Sequence, residues 1–363
     1  MQILRVTQRL YPDVTGGGAY HAHALSRDQV KKGHDVTVLT VRTDDQQPHT
    51  EERDGYTIIR CDPAVTPLGN EIAPGVIRRL LSTTADVIHA HSHLYFSTNL
   101  AALRRWMGSV PLAVTNHGLI SQTAPERLFK LYLQTLGRWT FNQADIIFCY
   151  TDVDQERLRS HGITAPVEVI PNGVNTEQFT PTGSESDLIG HDGPVALFVG
   201  RLVKGKRVNL AIEAIDQVDE GLDAHFYICG DGPLREELQR VAGESVTFLG
   251  TVPYGDMAGI YRAADVLILP SRQEGTPRTI MEALSSGVPV VSSDLPQIRS
   301  AFGDSINYVS PVDSDALAEQ ITKIIQDDKM PTLSDRFRWE QTVDDVTAVL
   351  EELATRNSGN IKD

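Results

Sequence analysis

The segment Gly200 to Arg207, GRLVKGKR, sets Arg201 and Lys206 beside a helix start. Unpaired backbone N–H groups and the positive end of the helix dipole favour an anion there. Gly200, Gly205 and Lys206 also satisfy the G-x4-G-K pattern of phosphate loops, but Arg207 stands where a Ser or Thr would hold Mg²⁺. A guanidinium offers no oxygen to a metal. The pattern therefore speaks against a magnesium-dependent ATPase and for a diphosphate neutralised by fixed cations. On spacing alone, a solvated basic helix start is equally open. Downstream, EGTPRTIMEAL places Glu274 in the loop after an apolar strand and Glu282 inside the helix that Thr276 and Pro277 start. The backbone N–H groups of Arg278 and Thr279 can receive a phosphate, and a carboxylate on either side can accept hydrogen bonds from sugar or ribose hydroxyls. A nucleoside diphosphate sugar is the ligand implied, although a carboxylate near a helix start is more often a capping or dipole partner.

Other constellations are weaker. His89, His91 and His93 alternate along a strand-like run and would share one face, but no Cys or carboxylate stands near them in sequence, so they line a strand end rather than bind metal. Asp152 and Asp154 mimic a metal-binding Asp-x-Asp, yet they open a helix, where Asp is an ordinary cap. Gly16-x-Gly18 is followed by His21, and Gly230-x-Gly232 by Arg235, where a dinucleotide fingerprint needs a third glycine. An oxidoreductase is unsupported. Arg78 with Arg79, and Arg104 with Arg105 beside Trp106, are compatible with contact to an anionic membrane as well as with plain solvation.

The elements that must position these residues follow from length and periodicity. A chain of 363 residues predicts two domains, and 40% hydrophobic with 22% charged residues is ordinary globular composition. A formal charge of −15 opposes binding to phosphate backbones and sets nucleic acid aside. Three cysteines make an odd count, and Cys149 and Cys229 lie in apolar runs, which suits a reducing compartment. The start MQILRVTQRL has no apolar leader core, and no apolar run reaches the ~18 residues of a membrane span. The expectation is a cytoplasmic protein, at most peripheral to a membrane.

Strand-length apolar runs alternate with amphipathic stretches throughout, so the class is α/β with parallel sheets. In the first half the strand candidates are QILRVT, DVTVLT, GYTIIR, ADVIHAHS, PLAVTNHG, ADIIFCYT and VEVIPNG; in the second they are PVALFVG, HFYICGDG, SVTFLG, ADVLILPS, VPVVSS and INYVS. Between the halves, residues 176–194 lose periodicity and collect Gly, Ser, Thr, Pro and Asp, which is linker chemistry. The division expected is 1–175, linker 176–194, 195–335, and a last helix in 336–363 carrying Trp339, Val343, Val346, Val349, Leu350 and Leu353 at helical spacing. Two open α/β domains imply a crevice outside the carboxyl ends of their strands.

With these motifs assembled, the chain resembles the retaining glycosyltransferases of family 4. The resemblance rests on the loop of Gly16 and Gly17, then KKGHDVTVLT, DVIHAHSH, TNHG, VIPNGVNTEQF, GRLVKGKR, ICGDGPLREEL and the Glu-x7-Glu spacing of Glu274 and Glu282. It implies the GT-B architecture, two doubly wound Rossmann-like domains facing across a cleft. The nucleotide sugar would be held mainly by the second domain and the acceptor mainly by the first, and the last helix would cross back to the first. Arg201 and Lys206 would clamp the diphosphate, Glu282 would hold the ribose, Glu274 would contact the donor sugar, and His117 would lie beside sugar and phosphate. Gly16 and Gly17 would let the first loop approach the diphosphate, with Gly275, Arg278 and Thr279 completing the donor site. Three positions depart from the family's habit: Ala19 replaces a frequent Glu, Pro277 a frequent Gly, and Arg207 the Gly that usually follows the Lys.

The resemblance thus implies transfer of a hexose or N-acetylhexosamine from a UDP- or GDP-linked donor to an acceptor hydroxyl, with retention. Neither a metal nor a cofactor beyond the donor is expected. The acceptor is a glycan, a lipid-linked glycan or a small molecule. A nucleotide-sugar epimerase on a similar scaffold and a non-catalytic sugar-nucleotide-binding protein are the alternatives.

Overall fold

Apolar runs too short for a helix and buried on both faces become central parallel strands, and the computed structural model shows two sheets built this way. It describes residues 1–67, 70–119, 126–218, 222–327 and 330–360. The chain forms two compact units, Met1–Pro171 with Gln341–Asp363, and Asn172–Glu340.

The sheet of the first unit comprises β1 (Gln2–Val6), β2 (Asp35–Val41), β3 (Thr50–Arg53), β4 (Tyr56–Cys61), β5 (Val87–His91), β6 (Leu112–Thr115), β7 (Ile146–Cys149) and β8 (Val167–Val169). Their order is β3-β4-β2-β1-β5-β6-β7-β8, parallel throughout except for the β3–β4 hairpin. β3, the polar run TEER, is the one strand of this sheet that apolar patterning misses. Its signal is the turn: Asp54 and Gly55 both have positive φ, 48° and 84°, as a two-residue hairpin turn of the Asp-Gly kind requires.

The second sheet comprises β9 (Val195–Val199), β10 (His225–Cys229), β11 (Val246–Gly250), β12 (Val266–Leu269), β13 (Val290–Ser293) and β14 (Asn307–Val309). All are parallel, in the order β11-β10-β9-β12-β13-β14. Both sheets are Rossmann-like, and the α/β class is as expected. The three cysteines are buried and unpaired.

The stretch 176–194 is not a free linker. Phe179 is fully buried in the second unit's core, its carbonyl accepts from Ser285 Oγ, and Ser186 N–H donates to Gly259 O at 3.1 Å. The boundary falls earlier, between Pro171 and Asn172. Loop-type composition describes the backbone of this stretch and is silent on the surface it covers. The last helix, Trp339–Asn360, buries Val343, Val346, Leu350 and Leu353, and Gln29 Nε2 donates to its Thr347 Oγ1 at 2.9 Å. Beneath it Arg5, fully buried in β1, donates to Ser26 Oγ at 2.7 Å and Gln29 Oε1 at 2.5 Å, fixing the helix Gly17–Lys31 on the sheet. Desolvation lowers the Arg5 pKa to about 9. Among the described residues, no helix is long and apolar enough to cross a membrane.

Candidate active site

Strand order in the second sheet reverses between β9 and β12, the kind of point at which open parallel sheets hold ligands beyond their carboxyl ends. β9 runs into Gly200 and then a single 3-10 turn, Lys204–Lys206, while the loop after β12 carries Glu274 toward the helix Arg278–Ser285. Across these two loops Lys206 Nζ donates to Glu274 Oε1, with the side chains 16% and 11% exposed. Arg272 N–H donates to Gly205 O at 2.8 Å and ties the loops a second time. Arg201 leaves the same β9 loop and is exposed, and Gly275 is half-buried. The loop after β10 packs closely against them, with Leu202 N–H donating to Asp231 O at 2.9 Å. A Cβ on Gly230 would sit 2.0 Å from the Gly200 carbonyl oxygen, so only glycine fits.

The helix Arg278–Ser285 starts from Pro277 in extended conformation, without a side-chain cap, and its first-turn N–H groups have no acceptor within the helix. Thr279 on that turn is half-buried. One turn on, Glu282 is 4% exposed; Tyr254 O–H donates to its Oε1 at 3.0 Å and Tyr261 O–H to its Oε2 at 2.9 Å. Burial, with the adjoining Glu282 carboxylate, pushes the Tyr261 hydroxyl well above its ordinary value, so it stays a donor. Arg278 Nε lies 3.6 Å from Glu282 Oε1. The candidate residues of this unit thus form two pairs, Lys206 with Glu274 and Arg278 with Glu282.

In the first unit the reversal falls between β1 and β5. After β1, Gly16 adopts a φ of 150° and opens the helix Gly17–Lys31, which has no acid in its first turn. His117 follows β6, and a Cβ on Gly18 would lie 3.7 Å from its ring, an ordinary contact. Both ring nitrogens of His117 are engaged: Tyr150 Oη is 2.7 Å from Nδ1, and His91 Nδ1 is 3.2 Å from Nε2. Desolvation lowers the His117 pKa to about 4 and that of His91 well below its usual value, so both rings are neutral near pH 7.

The comparisons with known proteins decide what this arrangement belongs to. A family model described as Glycosyltransferase Family 4 matches residues 15–178, and one described as Glycosyl transferases group 1 matches residues 193–327. The chain is a family 4 glycosyltransferase. It is 28% identical over 360 residues to the putative teichuronic acid biosynthesis glycosyltransferase TuaC of Bacillus subtilis, with 89% of each chain covered. It is 27% identical over 370 residues to the phosphatidyl-myo-inositol mannosyltransferase of Mycobacterium leprae, covering 95% of this chain and 96% of that one. The crystal structure of Anabaena HepE in complex with UDP-glucose superposes with a TM-score of 0.73 at 18% identity, over 100% of this chain and 99% of that one, a likeness of fold.

Several expected roles change in the folded transferase. Arg207 is no second phosphate cation. It sits in the left-handed region at φ 49°, and its guanidinium turns inward to Pro270 O at 2.7 Å, Ser271 O at 3.2 Å and Ser293 Oγ at 3.2 Å. That φ accounts for the glycine usual at this position. Neither Asp152 nor Asp154 caps the helix Asp152–Ser160. Thr151 does, accepting from Asp154 N–H and donating to Asp154 Oδ2 at 2.8 Å, a reciprocal box with the acid three residues in. The three histidines do not share one face. The rings of His89 and His91 lie 4.5 Å apart on β5, tilted by 37°, whereas Ser92, with φ 65°, turns the chain so that His93 packs on Phe141 at 4.8 Å. Among the described residues, no group of three or more His, Cys, Asp or Glu could hold a metal ion. Arg105 is committed to Asp145, at 2.7 and 2.8 Å. No local spacing links Tyr254 and Tyr261 to Glu282, or Tyr150 and His91 to His117, so the sequence alone does not pair them.

Proposed function

We propose that the transferase moves a hexose or N-acetylhexosamine from a UDP- or GDP-linked donor to a hydroxyl of a glycan or lipid-linked acceptor, with retention of anomeric configuration and without a metal. The donor is a co-substrate and no other cofactor is proposed. The observation that carries this reading is the Lys206–Glu274 pair at the carboxyl ends of β9 and β12. A diphosphate arriving there competes with Glu274 for the ammonium, and a carboxylate released from it can accept from sugar hydroxyls. As the glycosidic bond breaks, negative charge grows on the departing diphosphate. Lys206, Arg201 and the first-turn N–H groups at Arg278 and Thr279 meet that charge and stabilise the transition state more than the ground state. Fixed cations then do the work a divalent ion would otherwise do, in keeping with the absence of a hydroxyl at position 207. The leaving phosphate is the candidate base for the acceptor hydroxyl. His117 is given a part in transfer as a neutral hydrogen-bonding group, since its pKa of about 4 argues against an acid.

The UDP-glucose named with HepE supports the donor class. The phosphatidyl-inositol and teichuronic acid of the relatives' names support glycolipid or polysaccharide synthesis. A lipid-linked acceptor draws further support from the surface of the first unit. On the consecutive helical segments Glu126–Tyr132, Leu133–Gly137 and Arg138–Asn142, Leu128, Leu131 and Leu136 are 53%, 57% and 46% exposed beside the exposed cations Arg127, Lys130 and Arg138. In a chain of net charge −15, a cationic and apolar face suits an anionic bilayer at which the protein works from the cytoplasmic side. Thermal unfolding across nucleoside diphosphates and their sugars identifies the donor, because a ligand that binds the folded state raises its stability. Acceptor-dependent release of nucleoside diphosphate then establishes transfer. Conversion of donor to an isomeric sugar without acceptor would make it an epimerase, and binding without turnover a non-catalytic protein.

A further inference from the structure

Apart from its backbone N–H, which the helix start offers to a phosphate, Arg278 has side-chain partners of its own. Nη1 donates to Gly173 O at 2.8 Å and reaches Asn172 Oδ1 at 3.5 Å, Nη2 donates to Tyr254 Oη at 3.0 Å, and Cζ lies over the Trp339 ring, 5.9 Å from its centroid. Asn172 and Gly173 are where the chain enters the second unit, and Trp339 is where it leaves. These two segments run side by side: Val174 N–H donates to Phe337 O at 2.8 Å and Trp339 N–H to Val174 O at 3.0 Å. The same guanidinium is linked to the carboxylate assigned to the ribose in two ways, directly from Nε to Oε1 at 3.6 Å and through Tyr254, whose hydroxyl accepts from Arg278 and donates to Glu282.

We propose that Arg278 is a positioning residue that transmits occupation of Glu282 to the paired segments by which the chain enters and leaves the second unit. The proposal rests on the reading of Glu282 as the ribose-binding residue. At 4% exposure the carboxylate has no open side, so a ribose that places hydroxyls on it displaces a tyrosine hydroxyl. Tyr261 is fully buried and Tyr254 half-buried, so Tyr254 is the one that yields. Once its hydroxyl leaves Glu282, the Tyr254 bond to Nη2 shifts or breaks, and the guanidinium moves against Gly173 O and the face of Trp339. The signal is a change in hydrogen bonding at Val174 and Trp339, and the Arg278 side chain itself makes no bond to substrate.

Hydrogen exchange at the Val174 and Trp339 amides in the wild-type chain, with and without saturating UDP or GDP, tests this, with binding of each nucleotide read by calorimetry on the same preparation. The expected result is a change of about fivefold in exchange at both amides when nucleotide binds, the size of one hydrogen bond gained or lost. In Tyr254→Phe, which lacks the linking oxygen and keeps only the 3.6 Å contact of Arg278 with Glu282, the two amides respond less to bound nucleotide. Arg278→Lys, which keeps the charge but not the fork, regains part of the response that Arg278→Leu abolishes. A purely structural Arg278 gives another pattern, in which Arg278→Leu speeds exchange equally with and without nucleotide. Calorimetric binding with unchanged exchange in the wild type overturns the proposal and leaves the donor reading intact. If neither nucleotide binds, the proposal falls together with the reading beneath it. Should a variant fail to fold, the wild-type comparison decides alone.

Discussion

Lys206→Ala removes the ammonium that neutralises Glu274 and, on the proposed mechanism, the charge that meets the departing diphosphate. Its two effects differ in origin and can be separated. The Glu274 carboxylate is 11% exposed, so without the ammonium it is left without its cationic partner in a mostly desolvated place. An unpaired group of this kind costs about 2 kcal/mol, or about 6 °C in the unfolding midpoint. Loss of one fixed donor to developing negative charge costs about 3 kcal/mol, or about a hundredfold in kcat. Lys206→Ala with Glu274→Gln replaces the stranded charge by a neutral amide. The double variant therefore regains most of the stability and none of the rate. The assay is acceptor-dependent release of nucleoside diphosphate, with thermal unfolding of the same samples. Turnover by Lys206→Ala within about threefold of wild type refutes the clamp, since one transition-state contact is worth far more than that. Equal recovery of rate and stability in the double variant also refutes it, because the pair would then serve folding alone.

Acid should weaken the first unit. Burial holds His23 and His117 at about 4 and His93 at about 3, so on unfolding each takes up a proton once the pH is below the ordinary value of 6.5. Stability is therefore complete above that value and falls by up to about 1.4 kcal/mol per pH unit for each histidine as the pH drops toward 4. Urea unfolding at about pH 7 and about pH 5 measures this, and an unchanged or higher midpoint at the lower pH contradicts it. At position 207, Arg207→Ala loses the three anchoring bonds and keeps the left-handed backbone, whereas Arg207→Gly relieves that backbone. The alanine variant should be less stable than the glycine variant by about 1 kcal/mol in chemical denaturation, and the reverse order is inconsistent with the strain. Flotation with anionic and with zwitterionic vesicles tests the leucine and cation face. Leu128→Gln with Leu131→Gln should lower binding to anionic vesicles at least about tenfold while transfer to a soluble acceptor persists, and no binding by the wild-type chain removes the membrane reading.

What the chain revealed before folding, and what it withheld, follows from the range of the interactions concerned. Strands such as VALFV and VLIL are legible because burial on both faces demands an unbroken apolar run, which is a local property. The switch-point loops are legible for the same reason, since glycines and cations directly after such a strand can only lie at its carboxyl end. β3 fails that test because an edge strand paired on one side needs no apolar run, and only its Asp54-Gly55 turn betrays it. The direction of a long side chain is a different matter. Lys206 and Arg207 are neighbours of like charge, and nothing in their types says that one reaches across to Glu274 while the other turns under the loop to main-chain carbonyls. The left-handed backbone at Arg207 makes that division, by turning consecutive side chains apart. Glu282 shows the limit at longer range. Its tyrosine partners lie 28 and 21 residues earlier, across a helix and a strand, and they meet it only because parallel crossovers return each segment to one edge of the sheet. A motif can therefore name the carboxylate, but whether it faces substrate freely or through a gate of hydroxyls is a property of the fold. Here Tyr254 and Tyr261 donate to the two carboxylate oxygens, and on the proposed reading a ribose has to displace one of them.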